Sequence, residues 1–358
     1  MSLKHSLLKK WQRVTESRYT KAFVIISIIQ TIVLVYLQIR ILYRNAILFL
    51  SVGDDECPLV IITFALLIFE NIVFVLFDLF QLYFCMNGIF HQNLIQIFVT
   101  VIIDVGYVII GIIQLIEVKL DISKIESTCP TLHLSENIIL YELPHILVLV
   151  VLTISMAVLS RKLYRELDWD IYKKIGGDIE IRKIYKTILI FEMLLKINLF
   201  FVLIYNTLTA PFAIYELIKI YNKINTVQKA LNIGCLAIVI LVFFFQPLAY
   251  ISMKKEWKAG MIIFIIFWFI ALVDICFLAL IFEMKIVRYR FYSWTLLLCI
   301  SIICALLTFI YAIIVTKNFG KGLKEYLNKH EDKDSDKKLN VKNIESGLDI
   351  NKKFTIDD

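Results

Sequence analysis

The sequence predicts an all-α protein, a polytopic transmembrane bundle of about eight spans with both termini in the cytosol. Three observations predict it. Hydrophobic residues make up 59% of the 358 and the mean hydropathy is +0.78, more apolar surface than a soluble domain of this length can bury, so a bilayer is its solvent. Runs of about 20 apolar residues, enough to cross roughly 30 Å of hydrocarbon, recur eight times. The Lys and Arg between those runs fall mainly on alternate sides.

The first 21 residues are polar and cationic (Lys4, Lys9, Lys10, Arg13, Arg18, Lys21), and the apolar run after them is too long for the core of a cleavable signal, so the first span is an uncleaved anchor. The spans fall near 22–42, 59–85, 93–117, 142–160, 187–215, 230–252, 259–283 and 293–316. With the N-terminus inside, 27 of the 38 Lys and Arg lie on the cytosolic side and 10 on the lumenal side, counting Arg40 at the lumenal end of the first span, with Lys196 left within a span. That asymmetry orients the bundle N-in and C-in. The net charge of +7, concentrated in the N-terminal segment, one loop and the tail, points to anionic lipid headgroups at the cytosolic face and not to nucleic acid.

The organisation is thus a cytosolic segment (1–21), a transmembrane bundle (22–316) and a charged tail (317–358) too poor in large apolar residues to offset the entropy of ordering. The bundle is interrupted by a cytosolic loop at 161–186. Within it Leu163, Leu167, Ile171 and Ile175 recur every four residues, which predicts an amphipathic helix lying at the membrane surface. Gly176 and Gly177 then break it as a candidate hinge, and Asp178 is placed to cap a second helix running into the fifth span.

Ionisable side chains within hydrocarbon are candidates for function because their burial is costly. Glu70, Asp104, Glu192 and Lys196 form the candidate intramembrane cluster: counting along the spans puts Glu70, Asp104 and Lys196 near the midplane, and Glu192 lies one helical turn from Lys196. Such a group binds a polar solute or relays a proton; alternatively it is an ion pair that fixes helix packing. Asp78 and Asp274 are less telling, being able to approach the headgroups. Cys57 and Cys129, each followed by Pro in a lumenal loop, are either one disulfide or two unpaired thiols. The five His are scattered singly and no phosphate-binding or nucleophile-elbow motif occurs, so no catalytic residue, metal site or cofactor is expected.

The stretch LYRELDWDIYKKIGGDIEIRKIYKTILIFEMLLKINLFF, Leu163 to Phe201, resembles the signature region of a fungal family of uncharacterised Golgi apparatus membrane proteins. The similar elements are a Trp followed by IYKKIG, an acidic residue soon after, a basic-aromatic step at Lys183 to Tyr185, and LLK ahead of a polar residue and FF. This chain has Gly176-Gly177-Asp178 where the family tends to read Gly-Ala-Asp, and Asn198 where an acid is frequent. The resemblance implies residence in the Golgi membrane and no assigned activity. The expected function is therefore non-enzymatic, in membrane trafficking, sorting or organisation, with the 161–186 loop or the tail meeting a cytosolic protein partner or anionic lipid. The alternatives are a transporter using the midplane charges and a receptor-like bundle of seven helices.

Overall fold

The computed structural model describes residues 14–15, 17–51, 58–128, 138–175, 179–219, 226–289 and 292–321. These form eight helices: α1 (Arg18–Ser51), α2 (Pro58–Phe90), α3 (Leu94–Thr128), α4 (Ile138–Ile175), α5 (Ile179–Lys219), α6 (Thr226–Lys255), α7 (Lys258–Tyr289) and α8 (Tyr292–Asn318). Six of them, α1 to α4, α7 and α8, contain stretches long and apolar enough to cross a membrane. The chain is therefore a polytopic transmembrane helical bundle, as its hydropathy predicts. Cys57, Cys129, Gly176, Gly177, most of the N-terminal segment and the tail beyond Lys321 lie outside the described residues.

The helices pack as two rings of four. In the first, α1 touches α2 and α4, and α3 touches the same two; in the second, α5 touches α6 and α8, and α7 touches the same two. The seam between the rings is made by α3 against α5 and α8, with α2 also touching α5. Consecutive helices alternate in direction, so α1 and α5 start at the same face of the bundle, the face expected to be cytosolic.

Local chemistry sets the turns at that face. Ser17 accepts a hydrogen bond from the Tyr19 N–H (3.2 Å) at the start of α1 while its hydroxyl donates to Glu166 of α4 (2.7 Å), a side-chain cap for an orphan donor. Between α2 and α3, Gln92 takes a positive φ of 51°, the Asn93 N–H closes back on the Gly88 carbonyl (2.8 Å), and the Asn93 side chain caps α3 by accepting from the Gln96 N–H (3.1 Å). The α6–α7 turn repeats this geometry with Glu256 at φ 54° and the Trp257 N–H on the Ser252 carbonyl (2.9 Å). There Gly260 is required by close approach, since a Cβ would run into the Trp257 ring and Ser252 Oγ.

Two lengths depart from the sequence reading. Helix α4 runs unbroken to Ile175, so the segment expected to lie flat on the membrane instead continues the axis of its span. Leu163 is fully buried against Phe23, Ile89 and Ile97, not dipped into lipid. Past Glu166, α4 extends nine residues, and α5 begins ten residues ahead of Leu189, which lies level with the α2–α3 turn. These two extensions, the stem, each stand about 14–15 Å beyond the bundle.

Candidate functional site

The interiors of the two rings differ in chemistry. Among the described residues the second is largely apolar: Phe191, Met253, Met261, Phe264 and Trp268 are buried together, with Ala305 and Ala312 allowing close helix approach, and its buried polar side chains, Asn198, Gln246, Ser252 and Thr308 among them, are uncharged. The first carries polar residues on the inward face of every helix. On α1 these are Gln30, Gln38 and Asn45; on α2, Glu70, Asn71, Asp78 and Gln81; on α3, Gln96, Thr100, Asp104, Tyr107, Gln114 and Glu117; on α4, Glu142, His145, Thr153 and Ser160, all buried. Along α3 alone this stripe spans 21 residues, or about 31 Å, close to the thickness of the hydrocarbon. The outward faces carry Ile, Leu and Tyr, as lipid requires: Ile25, Ile32, Tyr36 and Ile39 of α1 are exposed.

The polar interior has three levels. Toward the far face, Arg44 pairs with Glu142 at 3.3 Å and donates to Asn45 (2.8 Å). Beside them Glu117 of α3 receives both the Ser293 N–H and the Ser293 hydroxyl, each at 2.8 Å, so a carboxylate caps the start of α8 across the seam. Glu70 faces Glu117 and Glu142 here.

At mid-depth, Asp104 Oδ1 accepts from the side-chain amides of Gln30 (3.0 Å) and Gln81. Asp78 faces both Asp104 and Tyr107, the Tyr107 hydroxyl lies 3.3 Å from His145 Nε2, and Gln38 Nε2 lies 3.1 Å from the same atom. At the near face, Lys196 Nζ donates to Asn87 (2.6 Å), Glu192 (2.9 Å) and Gln96 (3.1 Å). Those three acceptors use all the donors an ammonium has.

The four residues expected as one cluster are thus held at three levels with no shared partner. Only Glu192 and Lys196 meet. Asp104 is at mid-depth, ten residues into α3, but Glu70 lies toward the far face, and Lys196 is level with the last turn of α2 and the first of α3 instead of at the midplane. The reason is axial offset: hydropathy measures depth along one helix, and α5 is shifted by its ten-residue extension. Asp78, set aside in the sequence as able to reach headgroups, is buried at mid-depth, whereas Asp274 is only partly buried. Sequence reasoning also passed over Gln30, Gln38, Gln81, Tyr107 and His145.

The near-face contact ties the rings together, since Lys196 is on α5 and its partners Asn87 and Gln96 are on α2 and α3. Lys196→Met strands the Glu192 carboxylate and two amide acceptors, and is expected to lower stability by about 1–3 kcal/mol; adding Glu192→Gln recovers part of that loss. Thermal melts of both single variants and the double variant in detergent measure the coupling, and additive losses would show that the pair is not coupled.

Among the described residues, no group of three or more His, Cys, Asp or Glu is placed to hold a metal ion. The distinguishing chemical feature is instead a set of buried polar atoms that lack a close hydrogen-bond partner among the described residues. They include Asp104 Oδ2, Gln30 Oε1 and Gln38 Oε1, and the Glu70 and Asp78 carboxylates are met only by the more distant donors Ser293 and Gln114 for the one and Tyr107 for the other. Groups of this kind are costly in a packed interior, and their concentration in one ring marks that ring as the candidate site.

Among curated proteins, the chain is similar to a UPF0658 Golgi apparatus membrane protein of the fission yeast Schizosaccharomyces pombe, 23% identical over 311 residues that cover 79% of this chain and 82% of that one. The match bears out the resemblance drawn from Leu163 to Phe201 and carries it across most of the chain. With the spans described above, it also bears out a multi-pass protein of the Golgi membrane. No family model matches the chain, and no solved structure does.

Proposed function

We propose that this chain is a non-enzymatic carrier of the Golgi membrane whose first four helices hold a polar pathway for small cations, protons included. The observation that supports this reading is the contrast between the rings among the described residues: buried carboxylates with too few hydrogen-bond donors in the first, and a largely apolar packed core in the second. A scaffold held together by ion pairs has no use for carboxylates short of donors, because each lowers stability, whereas a pathway needs acceptors free to take up its passenger. The second ring then serves as the frame against which the first works, locked to it by Lys196 near one face and by Glu117 with Ser293 near the other. Two closed rings of four also favour eight spans, N-in and C-in, over a seven-helix receptor-like bundle.

Purified protein in sealed vesicles is expected to dissipate an imposed pH or cation gradient, read with a trapped dye, and Asp104→Asn is expected to reduce that flux to the level of protein-free vesicles. Undiminished flux in Asp104→Asn, with equal protein incorporated, removes the pathway from the first ring.

A second reading, in trafficking, sorting or organisation, is favoured by the stem of α4 and α5. Arg161, Lys162 and Arg165 at its base on α4, and Lys183 on its α5 part, are exposed, a basic surface suited to anionic headgroups or an acidic cytosolic partner. Reversing these four charges leaves vesicle flux intact under the first reading and abolishes membrane or partner recruitment under the second.

A further inference from the structure

Around Asp78 and Asp104 the partnerless buried atoms are all acceptors. They are Oδ2 of Asp104, Oε1 of Gln30 and of Gln38, and the oxygens of Asp78, toward which only the Tyr107 hydroxyl is directed, and no partnerless N–H lies among them; the partnerless amide nitrogens of Asn45 and Asn71 belong to the far-face level. The bonds these residues do make link them in a chain, with Gln30 and the two Asp at one end and Gln38 at the other. Gln30 donates to the other oxygen of Asp104, Asp78 faces Asp104 and Tyr107, and Tyr107 and Gln38 meet at His145. Asp78, Asp104, Gln30 and Gln38 are each no more than 2% exposed.

A surplus of donors could be met by an anion and a mixed set by water, but a surplus of carboxylate and amide oxygens is met by a positive charge. The geometry points to a binding site for a hard, oxygen-preferring metal cation of the alkali or alkaline-earth type, held by Asp78, Asp104 and Gln30 at mid-depth in the first ring. Such cations take carboxylate and amide carbonyl ligands and need no nitrogen or sulfur. Gln81 acts as a positioning residue, because its amide joins that of Gln30 on Asp104 Oδ1 and leaves Oδ2 directed elsewhere. The inference rests on the polar pathway proposed above and names its passenger or coupling ion.

The test is binding, separate from flux. The full chain in detergent is melted in N-methylglucamine chloride at constant ionic strength and pH, then titrated with LiCl, NaCl, KCl, MgCl2 or CaCl2. The expected result is a saturable rise in melting temperature of several degrees with one of these cations, absent in Asp78→Asn and in Gln30→Leu, two variants whose side chains fit the same space. A rise with Na+ or K+ alone assigns the alkali class, and a rise with Mg2+ or Ca2+ alone the alkaline-earth class. No cation-dependent rise in the parent chain, or a rise that persists in both variants, overturns the site. Vesicle flux that survives such a failure leaves the pathway standing with the proton as its passenger; binding without flux leaves the site and removes the pathway.

Discussion

Asp78→Asn is expected to melt above the parent chain in buffer free of metal cations, by an amount equivalent to about 1–3 kcal/mol, and to be inactive in the vesicle assay. Most substitutions at a residue 1% exposed destabilise, so the direction is informative. The Asp78 carboxylate is buried with only the Tyr107 hydroxyl directed at it, and it faces Asp104, whose Oδ2 is partnerless, as is Oε1 of the Gln30 bonded to Asp104. An asparagine of the same shape keeps one acceptor and supplies two N–H donors to that set, which removes a desolvated acceptor and satisfies others. If the carboxylate were a packing element, the same change would lower the melting temperature and spare flux. Stability sacrificed at one residue for function at that residue is the signature of a site.

The membrane class of the chain was legible because it rests on summed hydropathy, which eight long apolar runs make unambiguous. The polar interior was legible only in part, for a physical reason. Reading ionisable residues singly finds Glu70, Asp104 and Lys196, since burial of each is costly alone. It passes over Gln30, Gln38 and Asn45, whose individual costs are small and whose meaning lies in their spacing of eight and seven residues along α1, two turns apart on one face. On α3 one face is marked likewise at spacings of three, seven and three by Asp104, Tyr107, Gln114 and Glu117. Depth was misjudged for Lys196 because the ladder of hydropathy along one helix carries no axial register between helices. That register is set by contacts such as Lys196 with Asn87, more than 100 residues apart in sequence. The stem was missed likewise: Leu163 begins a stripe that suits a membrane surface, and the same stripe suits the core of a helix that continues straight.

Trp268→Ala is expected to cost about 3–5 kcal/mol, the largest loss of any single substitution considered. Trp268 is 1% exposed, stacks on Phe264 with ring centroids 5.4 Å apart, and donates its indole N–H to the Ala305 carbonyl of α8 at 2.9 Å. Removing it opens a cavity where α7 meets α8, and the flanking Ala305 and Ala312 have no side-chain length with which to fill it. Trp268→Phe keeps most of the volume and loses the hydrogen bond, so it is expected to cost about 1–3 kcal/mol and to leave a folded protein. Its vesicle flux then decides the division of labour between the rings. Flux at the parent level in Trp268→Phe, with Asp78→Asn stable and inactive, assigns transport to the first ring and support to the second. Flux lost in both would mean that the second ring takes part in the passage, and that the aromatic seam of Phe77, Phe80 and Phe200, where Phe80 and Phe200 stack at 4.3 Å, transmits motion between the two.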